Sequence, residues 1–358
     1  MASKVYFTGL SESDHAQAAS DKLKELLKKS GIFDFVCAGS VTAVKLHFGE
    51  EGNKGFVKPH FLKTINDALK DKGALPFLSD TNTLYRGRRT NCADHIALAY
   101  EHGFTESATG AKVVIPDEHD EDCAKSVEIG GKIFKRVLVA RVYVDANVLV
   151  GVAHFKGHIM TGFGGALKNI GMGSATRKGK LAQHSLLAPV VMLNNCTGCA
   201  ACYEVCPVQA IAIVNKKSVV DGNKCIGCAS CIAACKFSAM DVNWGSGADL
   251  IQEKMVEHAA GVLKNKKKNS VFINFATKIT KECDCLAKDD PRVCPDIGIF
   301  ISCDPVSVDK ACLDAVTKKC GRDIFRKLHP ERDGQKQLRH AVSLGLGNLE
   351  YELISYDK

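Results

Sequence analysis

The chain has 358 residues, 46% of them apolar and 25% charged, with a formal charge of +8. That balance excludes a disordered or low-complexity chain, and no run nears the roughly 20 apolar residues of a membrane span. No nucleic-acid motif occurs, and the lysines at 264 and 266–268 read as the solvated last turn of an expected helix. The start, Met1-Ala2-Ser3-Lys4, lacks the apolar stretch of a secretory signal, so a cytoplasmic protein is expected. In that setting 17 cysteines point to metal thiolates and not to disulfides.

Along the chain, Val5-Tyr6-Phe7 is the first strand candidate. Ala16, Ala19, Leu23, Leu26 and Leu27 recur at helical spacing, and Gly31 can stop that helix. A buried strand is expected over residues 41–48. Pro59 suits the first turn of a helix whose apolar face is Phe61, Leu62, Ile65, Ala68 and Leu69, with Gly73 at its end. A strand over 75–78 and a helix over 91–101 follow. Two strand-like runs, 133–140 and 142–150, precede a glycine-rich loop, and residues 178–187 read as a helix. After residue 245 the pattern resumes with a helix over 248–263 and strands over 270–276 and 297–302. A helix through Val308, Ala311, Cys312, Ala315 and Val316 closes near Gly321, and a strand over 351–355 ends the series. This alternation predicts an α/β fold, a mostly parallel sheet with helices on both faces. It carries an inserted α+β two-cluster ferredoxin-like module over 188–245, between a first part, 1–187, and a second part, 246–358.

The module rests on two runs, Cys196, Cys199, Cys202, Cys206 and Cys225, Cys228, Cys231, Cys235. Both read C-x2-C-x2-C-x3-C, the spacing of [4Fe–4S] runs whose fourth cysteine crosses to the other cluster. The expected sets are therefore Cys196, Cys199, Cys202 with Cys235, and Cys225, Cys228, Cys231 with Cys206. A pair of zinc knuckles is the bland alternative, but the third cysteine of each run and Pro207 after Cys206 count against it. Gly198 and Gly227 leave room for backbone near sulfur, and Ile211, Ile213 and Ile226 would exclude water.

Other residues suggest a second site. Between His154 and Ser174 lie His158, Gly162, Gly164, Gly165, Lys168 and Asn169, with His184-Ser185 beyond. Glycine-rich backbone offers N–H groups to an anion, so an anionic or nucleotide-like ligand is expected here, although tight turns alone would also use these glycines. The order is not that of a P-loop. His158, Lys168 and Asp80 are the catalytic candidates; histidine moves protons near neutral pH. Cys283-Asp284-Cys285 could join His184 around an extra metal ion or simply be reduced cysteines in a loop. Cys294-Pro295-Asp296 and Cys303-Asp304-Pro305 follow it. The runs from Lys45 through His47 to Glu51, and from Ser79-Asp80 to Arg86, come just after strand candidates, where α/β sheets bind ligands.

Val44-Lys-Leu-His-Phe-Gly-Glu, Ser79-Asp-Thr-Asn-Thr-Leu-Tyr, His154-Phe-Lys-Gly-His, Gly162-Phe-Gly-Gly-Ala-Leu-Lys-Asn-Ile-Gly-Met-Gly, Cys283-Asp-Cys285 and Pro295-Asp-Ile-Gly-Ile resemble the domain of unknown function 362 family. The subgroup with an internal two-cluster ferredoxin domain fits best, which implies an iron–sulfur protein of the kind common in anaerobes. His158, then Gly162 to Lys168, then His184-Ser185 is also similar to a signature of nickel-pincer lactate racemases. That likeness implies an acid/base His158, a tethering Lys168 and a metal-binding His184. The racemases have neither the inserted ferredoxin nor the C-x-C pair, and their Asp-x-x-Arg loop has no clear counterpart.

The leading expectation is an iron–sulfur oxidoreductase or electron carrier whose two [4Fe–4S] clusters pass electrons to a ligand or cofactor site on the α/β domain. A redox partner protein and a small-molecule substrate are implied. The alternatives are a metal- or pincer-nucleotide-dependent isomerase-like enzyme and a ferredoxin docking scaffold for a larger redox complex.

Overall fold

The computed structural model describes residues 2–85, 87–116, 121–184, 188–225, 227–242 and 250–357. Eight strands form the central sheet: Ser3–Gly9 (β1), Val41–Lys45 (β2), Leu75–Ser79 (β3), Lys112–Val114 (β4), Val148–His154 (β5), Ser270–Ala276 (β6), Gly298–Ser302 (β7) and Tyr351–Ser355 (β8). Their spatial order is β8-β1-β7-β6-β5-β2-β3-β4. Every pairing is parallel except the two made by β7, which runs antiparallel to β1 and β6. The fold is the expected α/β one, a mostly parallel sheet with helices around it.

β5 and β6 lie at the centre and are buried at every residue, as strands covered on both faces must be. On one face the helices Ala16–Ser30 and Pro59–Asp71 bring Leu23, Leu26, Leu62, Ile65 and Leu69 onto Val44, Val150 and Ile273. On the other, Ala166–Gly171, Ile251–Leu263 and Pro305–Cys320 bring Leu167, Ile170, Met255, Val308 and Cys312 onto Leu149 and Phe272. Gly31 ends the first helix at φ 59°, where a side chain would be strained.

Two expected strands change character. Residues 136–140 pair with Ala124–Glu128 in a hairpin outside the central sheet. The run expected over 142–150 breaks into a helical turn, Arg141–Asp145, and then β5. Its valines favour a strand, but Tyr143 is fully buried with its hydroxyl 2.9 Å from Ser79 Oγ, and that packing overrides propensity. Helices Glu106–Thr109, Ile324–Leu328 and Gln335–Ser343 carry no expectation from the sequence. The helix expected to reach residue 187 is described as Arg177–His184. Ser185, Arg86, Ile226 and the expected module end at 245 lie outside the described residues.

Candidate functional site

A cavity of about 840 Å³ opens at the carboxyl ends of β2, β3 and β5. Lys45 ends β2, Asp80 follows β3 and His154 ends β5, so the parallel strands deliver all three to one rim. The far wall comes from His158, Lys168, Asn169, Lys180, His184, Cys283 and Cys285.

The floor is a set of buried ion pairs. Lys45 Nζ lies 3.0 Å from Asp80 Oδ1 and also donates to Leu46 O and Asn169 Oδ1. Burial works against the Asp80 carboxylate, but the Lys45 charge and its neighbours outweigh that and hold the carboxyl below its usual range. Asp80 is thus an ionised partner of Lys45 and not a free base. Arg89, fully buried, donates to Glu50 at 3.1 Å, to Tyr85 Oη at 2.8 Å and meets His47 Nε2 at 2.9 Å. Asn169 Nδ2 donates to Lys45 O and Val152 O, which ties the ends of β2 and β5 together.

Cys283, Asp284 and Cys285 divide their labour. Asp284 turns its carboxylate to His154 Nδ1 at 2.9 Å and Lys156 Nζ at 3.5 Å; against the cost of burial, those partners hold it well below the carboxylate range. The two sulfurs face the cavity. Lys168 Nζ stands 3.5 Å from Cys283 Sγ. A hydrogen bond from Cys285 lowers the Cys283 thiol well below its ordinary value, and the same bond, with burial, raises Cys285. In spacing, His158, Cys283 and Cys285 could hold a metal ion, since a ring nitrogen and two sulfurs lie within 4.8 Å of one another. His158 Nδ1, however, accepts the N–H groups of Met160 and Thr161, both at 3.2 Å, which leaves the ring proton on Nε2. A ligating histidine instead gives its second N–H to an acceptor. Burial keeps this ring neutral, so it is set to donate. His184 lines the same cavity without joining the trio, and burial lowers it to about 3.

The glycine-rich loop is arranged otherwise than expected. Gly165 precedes the helix Ala166–Gly171, and the Asp309 carboxylate takes the N–H groups of Ala166 at 2.6 Å and Leu167 at 3.0 Å. The anion at this turn is thus the protein's own. Burial pushes Asp309 up to about 6, although these donors and Asn274 pull it down. A Cβ at Gly165 would overlap that carboxylate, one at Gly164 would press on the Lys168 side chain, and one at Gly162 on Gly334. Of the loop, Gly165, Lys168 and Asn169 reach the cavity; Gly162 and Gly164 do not line it. Cys294 sits in the apolar core and Cys303 is exposed, both away from the cavity.

The two cysteine runs fold alike. Gly198 and Gly227 have φ of 73° and 69°, and Ala200 and Ala229 of 65° and 60°. The N–H of Ala210 meets Cys206 Sγ at 3.2 Å, and that of Ala239 meets Cys235 Sγ at 3.1 Å. Cys206 lines one small cavity with Cys225, Cys228 and Cys231. Cys196, Cys202 and Cys235 are buried in one apolar cluster with Ile211, Ile232 and Met240, and Cys199 is exposed. Leu181 belongs to this cluster. It lies on the helix Arg177–His184, whose Lys180 and His184 line the large cavity.

Residues 42–314 match the model of the domain of unknown function family DUF362, a stretch that holds the cavity's strand ends, the cysteine runs and the C-x-C pair. The chain belongs to the DUF362 family. No curated protein matches this DUF362 chain. Among solved structures it is similar to the lactate racemase apoprotein of Thermoanaerobacterium thermosaccharolyticum, at 16% identity and a TM-score of 0.37, over 66% of this chain and 48% of that one. It is also similar to a protein of Thermotoga maritima, at 13% identity and a TM-score of 0.42, over 89% of this chain and 59% of that one. The DUF362 chain thus spans about half the length of these two.

Arg89, Lys180 and Asp309 escape sequence reasoning. Lys180 alone carries a local signal, one helical turn before His184 on the same face. No helix among the described residues is long and apolar enough to cross a membrane.

Proposed function

We propose that this DUF362 protein is an iron–sulfur redox protein that exchanges electrons with a small anionic molecule in the large cavity. Cys196, Cys199, Cys202 and Cys235 would hold one [4Fe–4S] cluster, and Cys225, Cys228, Cys231 and Cys206 the other, in a ferredoxin-like module over 188–245. The residues suit the group: sulfurs in an apolar shell, backbone N–H groups aimed at Cys206 and Cys235, and left-handed turns that free the loops around them. Bound there, the clusters would supply one-electron steps.

The observation that carries the reading is the helix Arg177–His184. Leu181 packs in the cysteine cluster while Lys180 and His184 line the cavity, so one helix separates the two. Lys168 and Lys156 give the wall positive charge for a carboxylate or phosphate. His158 would donate the Nε2 proton to a ligand that gains electrons, and Cys283 would offer a thiolate beside it.

Anaerobic purification with iron and sulfide analysis tests the reading first. About eight of each per chain, with an EPR signal on reduction, is expected; zinc in place of iron would overturn it. Lys168→Ala should keep the iron and lose ligand binding; full turnover in that variant would remove the cavity from the mechanism. A second reading, a metal-centred isomerase, draws on His158, Lys168 and His184 lining one cavity. It requires a stoichiometric non-iron metal that His184→Ala loses.

A further inference from the structure

The two cysteine runs share a register, and so do the ladders beside them. Ile211 pairs with Val220 and Ala212 with Val219, while Met240 pairs with Val191 and Asp241 with Val190. One position breaks the likeness. Ser218, 4% exposed, sends its N–H to Cys196 Sγ at 3.4 Å, and its hydroxyl lies 3.1 Å from Cys202 Sγ and 3.6 Å from Cys196 Sγ. In the repeat its counterpart is Pro189, which lines the small cavity of Cys206, Cys225, Cys228 and Cys231. Proline brings neither an N–H nor a hydroxyl, and its neighbours there include Val208, Ile211 and Val220. Solvent does not separate the sets: Cys199 of the first is exposed but its other three cysteines are buried, while Cys206, Cys225 and Cys228 of the second are half-buried and Cys231 is buried.

Donors to sulfur stabilise the extra negative charge of a reduced cluster and so raise its potential. We propose that the two iron–sulfur sites are unequal, the Cys196 site having the higher reduction potential, and that Ser218 sets the difference. This rests on the two-cluster reading above. The first electron then settles at the Cys196 site. The Cys225 site fills second, and it is the one beside the cavity wall, where Gly227 stands against Leu181. The cavity is therefore served when the protein holds a pair of electrons, which suits a two-electron change in its ligand.

The test is an EPR-monitored redox titration of the anaerobically purified full chain, with iron and sulfide measured on the same sample. Two separate one-electron steps are expected. Ser218→Ala should lower the upper step and leave the lower one in place, so the two draw together. Pro189→Ser should raise the lower step. With about eight irons bound, a single shared potential in the natural chain would overturn this inference alone, as would a Ser218→Ala variant that shifts neither step or both equally. A chain without clusters would overturn the underlying reading, and this inference with it.

Discussion

The cysteine module and the large cavity both bury polar groups, and they satisfy them in different ways. In the module much of this is local, Cys206 taking the N–H of Ala210 and Cys235 that of Ala239, although Ser218 reaches Cys196 and Cys202 from further along the chain. In the cavity the partners come from distant parts of the chain, as Lys45 with Asp80, Arg89 with Glu50, and His154 with Asp284. A local partner survives a change elsewhere, because short-range geometry keeps it in place. A distant one does not, because removing either member leaves a charge without water or counter-ion.

That contrast can be broken or sharpened by experiment. On the two-cluster reading proposed above, the largest effect falls on iron. Cys206→Ala should cut bound iron to about half of eight while the urea midpoint of the α/β part stays within a few tenths of a molar; loss of all iron would show the two sites to be one cooperative unit. Asp284→Ala strands His154 and Lys156 in the cavity wall and should cost about 3–5 kcal/mol in urea unfolding. A cost below about 1 kcal/mol would mean that the cavity pairs behave like surface ones.

Acid should act next. His95 and His184 are lowered to about 3 and His258 to about 4, burial being the leading cause in each. Below about 6.5 the unfolded chain binds protons that the folded rings refuse, so stability falls as pH drops from there toward 4. At pH 5 each ring should cost about 2 kcal/mol. His258→Gln should flatten the slope of unfolding free energy against pH by about one proton; an unchanged slope would place a proton on that ring in the folded state. The smallest effect is expected at Asp309. Its replacement by Asn leaves one of two backbone donors facing an amide N–H₂, and about 1 kcal/mol should be lost. No loss would mean that the turn before Ala166 holds its shape without an anion.

What could be read in advance follows the same division. The two C-x2-C-x2-C-x3-C runs were legible because their cysteines stand two or three residues apart, and the spacing rule for such runs is what led Cys206 to be expected with the Cys225 set, whose cavity it lines. The strand–helix alternation was legible because Leu23, Leu26 and Leu27, or Leu62, Ile65 and Leu69, repeat with the helical period. The strand ends at Lys45, Asp80 and His154 were legible because parallel strands present their carboxyl ends on one edge. The direction of β7 was not, since Gly298–Ser302 has the same buried pattern whichever way it runs. Nor was Arg141–Asp145, where the burial of Tyr143 outweighs the preference of valine for strands.

Sequence alone, then, determined the spacing of the two cysteine runs, the α/β class and the residues available at the sheet edge, because each depends on neighbours a few positions apart. Only the tertiary structure decided that Asp309 fills the turn before Ala166, that His158 and not His184 meets the C-x-C sulfurs, and that Asp80 stands ionised against Lys45. It also set Ser218 against one pair of sulfurs and Pro189 beside the other set. These depend on which side chains meet after distant segments pack, and a buried charge or donor is satisfied by whichever partner the fold brings within about 3 Å.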